Sequence, residues 1–140
     1  MQVDWLILAD SAQVVGNKLY LLGGGWDRLI VNKEFPTEHR VGIALALRVP
    51  WNQTNERHEF EIEIASEDGA TIAKVGGNFE VGRPPGIPPG QDQRIQLAVE
   101  ANIKFERPGT FVISAKLDGE IGQRAPFQVM SGAGAPISAG

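Results

Sequence analysis

The chain has 140 residues, of which 42% are hydrophobic and 21% charged, the size and composition of one globular domain rather than of a disordered chain. Seventeen acidic and 13 basic side chains give a formal net charge of −4. This balance argues against a binder of nucleic acid or of anionic membranes, because both need a basic surface. We therefore expect no nucleic-acid partner and no membrane partner.

Hydrophobic and polar residues alternate along most of the chain, and this period of two predicts β-strands rather than helices. In the segment 57–64, Phe60, Ile62 and Ile64 share one predicted face, and the glutamates between them share the other. The predicted strands, in chain order, are 3–9, 12–15, 18–22, 27–31, 40–49, 57–64, 70–75, 94–105, 111–117 and a last strand ending at 127–129. We expect an all-β fold, an antiparallel β-sandwich (immunoglobulin/C2-like) of about eight to ten strands over residues 1–130. A tail rich in Gly, Ala and Ser follows at 131–140.

Four short segments are predicted to be hairpin turns. The dipeptides at 68–69 and 118–119 are Asp-Gly, typical of type I′ turns, and Gly16-Asn17 suits a type II′ turn. The segment 107–110, with proline at its second position, predicts a fourth hairpin. Residues 83–90 contain four prolines and are predicted to form an extended, stiff connection.

Two predicted strands, 3–9 and 19–22, are apolar on both faces, unlike the others. Their second face must be covered by the tail, by another strand or by another subunit. We therefore expect a homo-oligomer or a complex with another protein. Candidate contacts are Pro85 and Pro88 of a PxxP sequence, together with Pro136 and Ile137 of the tail, whose deletion is expected to weaken self-association.

Residues for catalysis or metal binding do not cluster in the sequence. Neither His39 nor His58 has a second histidine two or four positions away, as zinc sites commonly do, and His58 is assigned to the outward face of its strand. Glu59, Glu61 and Glu63 are expected to form a solvated face, paired with Arg40 or Arg48. Single loop acids leave calcium as an open alternative. We expect a protein that is not an enzyme and binds no cofactor or catalytic metal.

The tryptophans suggest a second function, a site for a small ligand or a carbohydrate. Trp26 and Trp51 could form an aromatic platform, with Asn52, Asn55 and His58 supplying polar groups. The alternative is that both tryptophans pack in the core or at an edge of the sandwich. The two alternatives stay open at the level of the sequence.

Several motifs resemble those of a known family. They are ADSAQVVGNKLYLLGGGWD at 9–27, VPWNxxNxxHxF at 49–60, FEVGRPPG at 79–86 and PGTF at 108–111. Together they resemble a family of short bacterial proteins described only as a domain of unknown function. The resemblance implies a compact β-sandwich in the bacterial cytoplasm and transfers no activity. We expect a non-catalytic protein-interaction or assembly module, with the ligand-binding sandwich as the alternative.

Overall fold

The computed structural model describes residues 1–132, which form nine β-strands and one short 3-10 helix, Trp51–Gln53. The strands are β1 (Gln2–Val15), β2 (Lys18–Gly24), β3 (Arg28–Val31), β4 (Thr37–Val49), β5 (Arg57–Ser66), β6 (Thr71–Glu80), β7 (Gln93–Phe105), β8 (Gly109–Leu117) and β9 (Glu120–Ser131). One sheet has the order β2-β1-β4-β7 and the other β3-β9-β8-β5-β6. The predicted all-β fold of eight to ten strands is confirmed.

The core lies between the two sheets and is built from the alternating apolar residues. Ile43 and Leu45 of β4 are almost completely buried, as are Ile64 of β5 and Ile113 of β8. At one end, the rings of Phe105 and Phe111 meet edge to face at 5.2 Å, linking the two sheets. Each such side chain stabilises the fold by about 1.5–3 kcal/mol relative to an exposed one, so the period-two pattern accounts for most of the core.

The β1–β2 hairpin folds back over the outer face of its own sheet. A Cβ at Gly42 of β4 would lie 2.9 Å from the backbone nitrogen of Ala12, so the hairpin crosses directly above this glycine. At the hairpin tip, the Gln96 side-chain amide of β7 donates to the Asn17 carbonyl at 2.9 Å. The hairpin therefore covers Ala44 and Ala46, which are 0% exposed although they point away from the core. This cover lies over β4, whereas the second face of 19–22 has no cover within residues 1–132, since Tyr20 and Leu22 are 56% and 72% exposed.

The carboxylate of Glu100 on β7 holds the hairpin in this position. It accepts hydrogen bonds from the Ser11 hydroxyl at 2.5 Å and the Ala12 N–H at 3.2 Å, and it pairs with Arg40 at 2.6 Å. The Ser11 bond, then the Arg40 and Ala12 bonds, lower the pKa of Glu100 to about 2. The carboxylate is therefore ionised across the whole neutral range and binds the crossing backbone.

Two of the four predicted hairpin turns need correction in type. Gly16 and Asn17 both have positive φ, at 58° and 61°, so this turn is type I′ rather than type II′. In the 66–70 turn only Gly69 has positive φ, and its N–H bonds the Ser66 carbonyl. This is a type I turn followed by a left-handed glycine, a three-residue loop rather than type I′. The type I′ turn at 118–119 is confirmed, with φ of 49° and 83°.

Two connections whose conformation was predicted from their prolines differ from the prediction in more than turn type. The segment 107–110 joins β7 to β8, which lie in different sheets, so the predicted fourth hairpin is wrong. The stretch 84–91 forms two successive turns closed by the Ile87 and Gln91 N–H groups, rather than an extended connection. Gly86 and Gly90 have φ of 94° and 85°, as the third position of a type II turn after proline requires. The Pro-Pro-Gly sequence, which occurs at 84–86 and again at 88–90, is the feature of the sequence that favours these two turns.

The glutamates of β5 point outward as predicted, but their partners are different residues. Lys74 of β6 lies 3.7 Å from Glu61 and 3.8 Å from Glu63, and Lys116 of β8 lies 3.9 Å from Glu61. Arg40 and Arg48 belong to the other sheet, where Arg48 pairs with Asp4. The expected pairing of the glutamates with these arginines is therefore wrong. The observed pairs are half-exposed and contribute about 0–1 kcal/mol each.

Candidate functional site

His58 lies at the start of β5 in a polar cluster at one end of the sandwich. We name the His58 cluster after its three members, His58, Gln53 and Asp118. The His58 side chain is 4% exposed, and its Nδ1 lies 2.8 Å from Asp118 Oδ2 while its Nε2 lies 2.7 Å from the Gln53 carbonyl oxygen. The Gln53 carbonyl and an ionised Asp118 carboxylate only accept hydrogen bonds, so this geometry is satisfied when both ring nitrogens carry a proton and donate.

The electrostatics of the cluster agree with this protonation state. Burial alone would lower the pKa of His58, but the bonds to the Gln53 carbonyl and the Asp118 carboxylate raise it above its ordinary value. The Glu59 N–H, which bonds Asp118 at 2.8 Å, lowers the pKa of Asp118 against the effect of burial, and His58 lowers it further. The cluster thus joins the 3-10 helix, β5 and the β8–β9 turn.

The hydrogen bonds of His58 are incompatible with metal binding and with proton transfer to a substrate. With both nitrogens donating inside the protein, the ring has no lone pair for a metal ion and no free nitrogen for a substrate proton. The assignment of His58 to the outward face was wrong, because it is two residues before Phe60 and so shares the inward face. The alternation itself contained this signal.

Trp51 lies close to the His58 cluster, and an arginine side chain stacks on its ring. The Arg83 guanidinium carbon lies 3.9 Å from the centre of the Trp51 ring. The same arginine donates to the Thr54 hydroxyl at 2.6 Å and to the Trp51 carbonyl at 2.9 Å. Asn52 and Asn55 are exposed nearby. The structure therefore brings Trp51, Asn52, Asn55 and His58 to one end of the sandwich, with an arginine over the aromatic face that a sugar would need.

Trp26 lies at the opposite end. It precedes β3 and packs edge to face against Phe127, with ring centres 6.2 Å apart. Its indole N–H is buried and makes no hydrogen bond within residues 1–132. Trp26 and Trp51 therefore do not share a platform, and the core-packing alternative describes Trp26.

The predicted partner-binding prolines fall into two groups. Pro85 and Pro88 are exposed, but Gly86 between them has φ of 94°, so the segment lacks the extended form in which PxxP sequences are recognised. Pro136 and Ile137 lie outside the described residues.

Three exposed apolar side chains lie together on the β1–β2 hairpin. Val15, Tyr20 and Leu22 are 60%, 56% and 72% exposed; we call this surface the hairpin face. A groove of about 470 Å³ lies beside it, lined by Ser11, Gln13 and residues 19–22. The sequence marked 19–22 as apolar on both faces, and the structure shows that one face packs inward while the other stays open.

The hairpin face borders an unpaired strand edge. Within the described part of the chain, β2 pairs with β1 alone. The two-residue turn makes Val15 and Lys18 a hydrogen-bonded pair. Because bonded pairs alternate along an antiparallel ladder, Tyr20 and Leu22 also bond to β1, while the peptide groups of Leu19 and Leu21 point away from it.

Residues 1–132 lack two further kinds of feature. This range contains no group of three or more His, Asp or Glu side chains placed to hold a metal ion. It contains no helix long and apolar enough to cross a membrane.

Comparison with known proteins places the chain in a family. A model described as a family of unknown function (DUF6941) matches residues 4–130, so the chain belongs to this family, as its motifs suggested. A comparison with curated proteins gives no match. The description of the family names no activity that could be assigned to this chain.

Proposed function

We propose that this protein is a non-catalytic protein-interaction module that binds through the hairpin face and the free edge of β2. The observation that carries the proposal is the combination of exposed Tyr20 and Leu22 with an unpaired strand edge. An edge of this kind supplies backbone donors and acceptors to an added strand, and the neighbouring side chains supply apolar contact.

The other sheet edges support this choice by contrast. Natural proteins protect edges with charged side chains or with short strands. Charged residues occur on β6 and β7, for example Lys74 and Arg94, and β3 is only four residues long. From Leu19 to Gly24, β2 has no charged side chain. Exposed Ile30 and Met130 form a smaller apolar pair on β3 and β9, where the short β3 limits an added ladder.

The geometry of the His58 cluster supports the non-catalytic part of the proposal. A general base needs a nitrogen that can reach a substrate proton, and His58 uses both of its nitrogens inside the protein. The arginine stacked on Trp51 likewise favours a structural role for that end of the molecule.

Site-specific crosslinking in the source cells tests the proposal. A photo-crosslinking amino acid replaces Tyr20, and the control carries it at Asn78, an exposed residue of the edge strand β6. We expect discrete adducts with protein at position 20 and few at position 78. Equal yields at the two positions, or none at position 20, would contradict the proposal.

A further inference from the structure

We propose that the partner of the β2 edge is a second copy of this chain, and that the two β2 strands pair antiparallel about a two-fold axis at Leu21. This inference rests on the proposed function and adds the identity of the partner and the register of the pairing. The two β1–β2 hairpins would then join into one four-stranded layer.

The backbone of β2 is suited to pair with itself. The peptide groups of Leu19 and Leu21 point to the free edge, as the register with β1 requires. With the axis at Leu21, this residue lies opposite Leu21 of the second copy and forms a bonded pair with it. Gly23 of the second copy, opposite Leu19, has φ of 59° and lies against the Asp10 carboxylate of its own copy, so the regular part of the pairing is centred on Leu21. The edge-facing groups of one copy therefore meet those of the other in register.

The same register matches the exposed side chains. Tyr20 lies opposite Leu22 of the second copy, and Leu22 opposite Tyr20, so the contact occurs twice. These are non-bonded pairs, in which opposite Cα atoms are only about 4.5 Å apart and side chains approach most closely. Aromatic–aliphatic pairs across strands are among the favourable combinations. Pairing thus covers the two most exposed side chains of β2, which together with Val15 form the hairpin face.

The charge distribution also suits a second copy. Each chain carries a net charge of −4, so two copies repel unless they meet where carboxylates are absent. Residues 19–26 contain no charged side chain. The Asp10 carboxylate of β1 lies against Gly23, and in this register the Gly23 residues of the two copies are four positions apart, about 13 Å. Lys18 lies opposite Gly24 of the second copy, and the two Lys18 residues are six positions apart along the ladder, about 20 Å. The pairing therefore apposes no like charges at close range.

The area of contact sets the expected strength. The exposed parts of Tyr20 and Leu22 amount to roughly 100 Å² each, and the joined edges add a comparable area. The total falls below about 1,200 Å², the range of weak and transient contacts. We therefore expect a dimer that forms at micromolar concentrations and dissociates on dilution.

Disulfide trapping tests the register, because the chain has no cysteine of its own. Tyr20→Cys and Leu22→Cys proteins are mixed in equal amounts in a glutathione redox buffer, and the crosslinked dimers are separated by mass. We expect the mixed 20–22 disulfide to exceed both like-with-like disulfides by at least fivefold. A statistical mixture, or a predominance of 20–20 disulfide, would overturn the pairing about Leu21.

Sedimentation equilibrium provides the second measurement and separates the two proposals. We expect a reversible dimer that Tyr20→Lys abolishes and that the matched Asn78→Lys control keeps. Because the proposed contact lies on β2, deletion of 133–140 should also keep the dimer, in contrast to the weakening expected from the sequence. Loss of the dimer on that deletion would assign the contact to the tail and overturn the pairing. A monomer at all concentrations, with adducts to a different protein at position 20 in cells, would overturn the second copy and leave the proposed function standing.

Discussion

The His58 cluster and the hairpin face differ in how completely their hydrogen-bonding groups are satisfied. In the cluster, a buried ring, a carboxylate and a backbone carbonyl match every donor with an acceptor. On the hairpin, Tyr20 and Leu22 are exposed beside a strand edge whose peptide groups have no partner within residues 1–132. A buried group that is fully satisfied stabilises the fold, whereas an exposed edge is available to a partner.

The two regions have the opposite roles from those that their residue types suggest. A histidine paired with an aspartate resembles part of a catalytic site, and a leucine-rich strand resembles part of a core. Here the polar pair joins three segments of the chain, and the apolar strand has the exposed surface. The two regions differ in whether their hydrogen-bonding groups and apolar side chains are free to bind a partner. The types of residue present do not show this difference.

The largest effect on stability is expected from removal of the His58 ring. His58→Ala leaves the Gln53 carbonyl and the Asp118 carboxylate without their donor and opens a cavity beside Phe79. We expect the free energy of unfolding in urea to fall by about 3 kcal/mol. The exposed control Asn52→Ala should change it by less than about 0.5 kcal/mol. Wild-type stability of His58→Ala would show that the cluster does not support the fold.

A smaller effect is expected where the hairpin crosses its own sheet. In Gly42→Ala the new methyl group would lie 2.9 Å from the backbone of Ser11 and Ala12, so the hairpin must move away. We expect a loss of about 1–3 kcal/mol in thermal or urea unfolding. At Gly82 a Cβ has only an ordinary 4.0 Å contact with Asn55, so Gly82→Ala is the matched control. Equal stability of the two variants would contradict the crossing.

The pH dependence of the free energy of unfolding tests whether the His58 ring gains stability from being protonated in the folded protein. The folded pKa of His58 is raised, so its stabilising effect is complete below its ordinary pKa of about 6.5 and is lost as pH rises through the folded value. The pKa of Asp118 is lowered, so its effect is lost only as pH falls below about 4. We expect wild-type stability in urea to decline above pH 6.5. In His58→Gln this decline should be absent, and its persistence would exclude His58 as the titrating group.

The smallest effect on the monomer is expected at the hairpin face itself. Tyr20→Lys changes an exposed side chain, so the free energy of unfolding at low concentration should change by less than about 0.5 kcal/mol. The same substitution places two lysines in the paired edges and should abolish self-association. A large loss of monomer stability would mean that Tyr20 belongs to the core.

The sequence was sufficient for the strands because their two faces differ in polarity. The period-two pattern located β4, β5, β7 and β8 within a few residues of their observed bounds. Errors occurred where two backbone geometries share one composition. Gly16-Asn17 fits two mirror-image turns, and only the observed positive φ at both residues selects type I′.

The candidate sites were harder to predict because they depend on which strands become neighbours. The distance between Trp26 and Trp51 is set by the sheet order, which the local pattern does not contain. The fold-over of the β1–β2 hairpin depends on Gly42 and Glu100, both far from it in sequence. His58 is a different kind of error, because the alternation puts it on the same inward face as Phe60, and its assignment to the outward face misread that pattern.

Amide hydrogen exchange at single residues of β2 is the most direct test of pairing between two copies through the β2 edge. At low protein concentration, the Tyr20 and Leu22 amides should exchange slowly because they bond to β1, and the Leu19 and Leu21 amides should exchange rapidly. As the protein concentration rises through the micromolar range into the millimolar range, we expect the Leu19 and Leu21 amides to become protected, while the exchange of the Tyr20 and Leu22 amides stays unchanged. Exchange of Leu19 and Leu21 that is independent of concentration would contradict pairing through this edge.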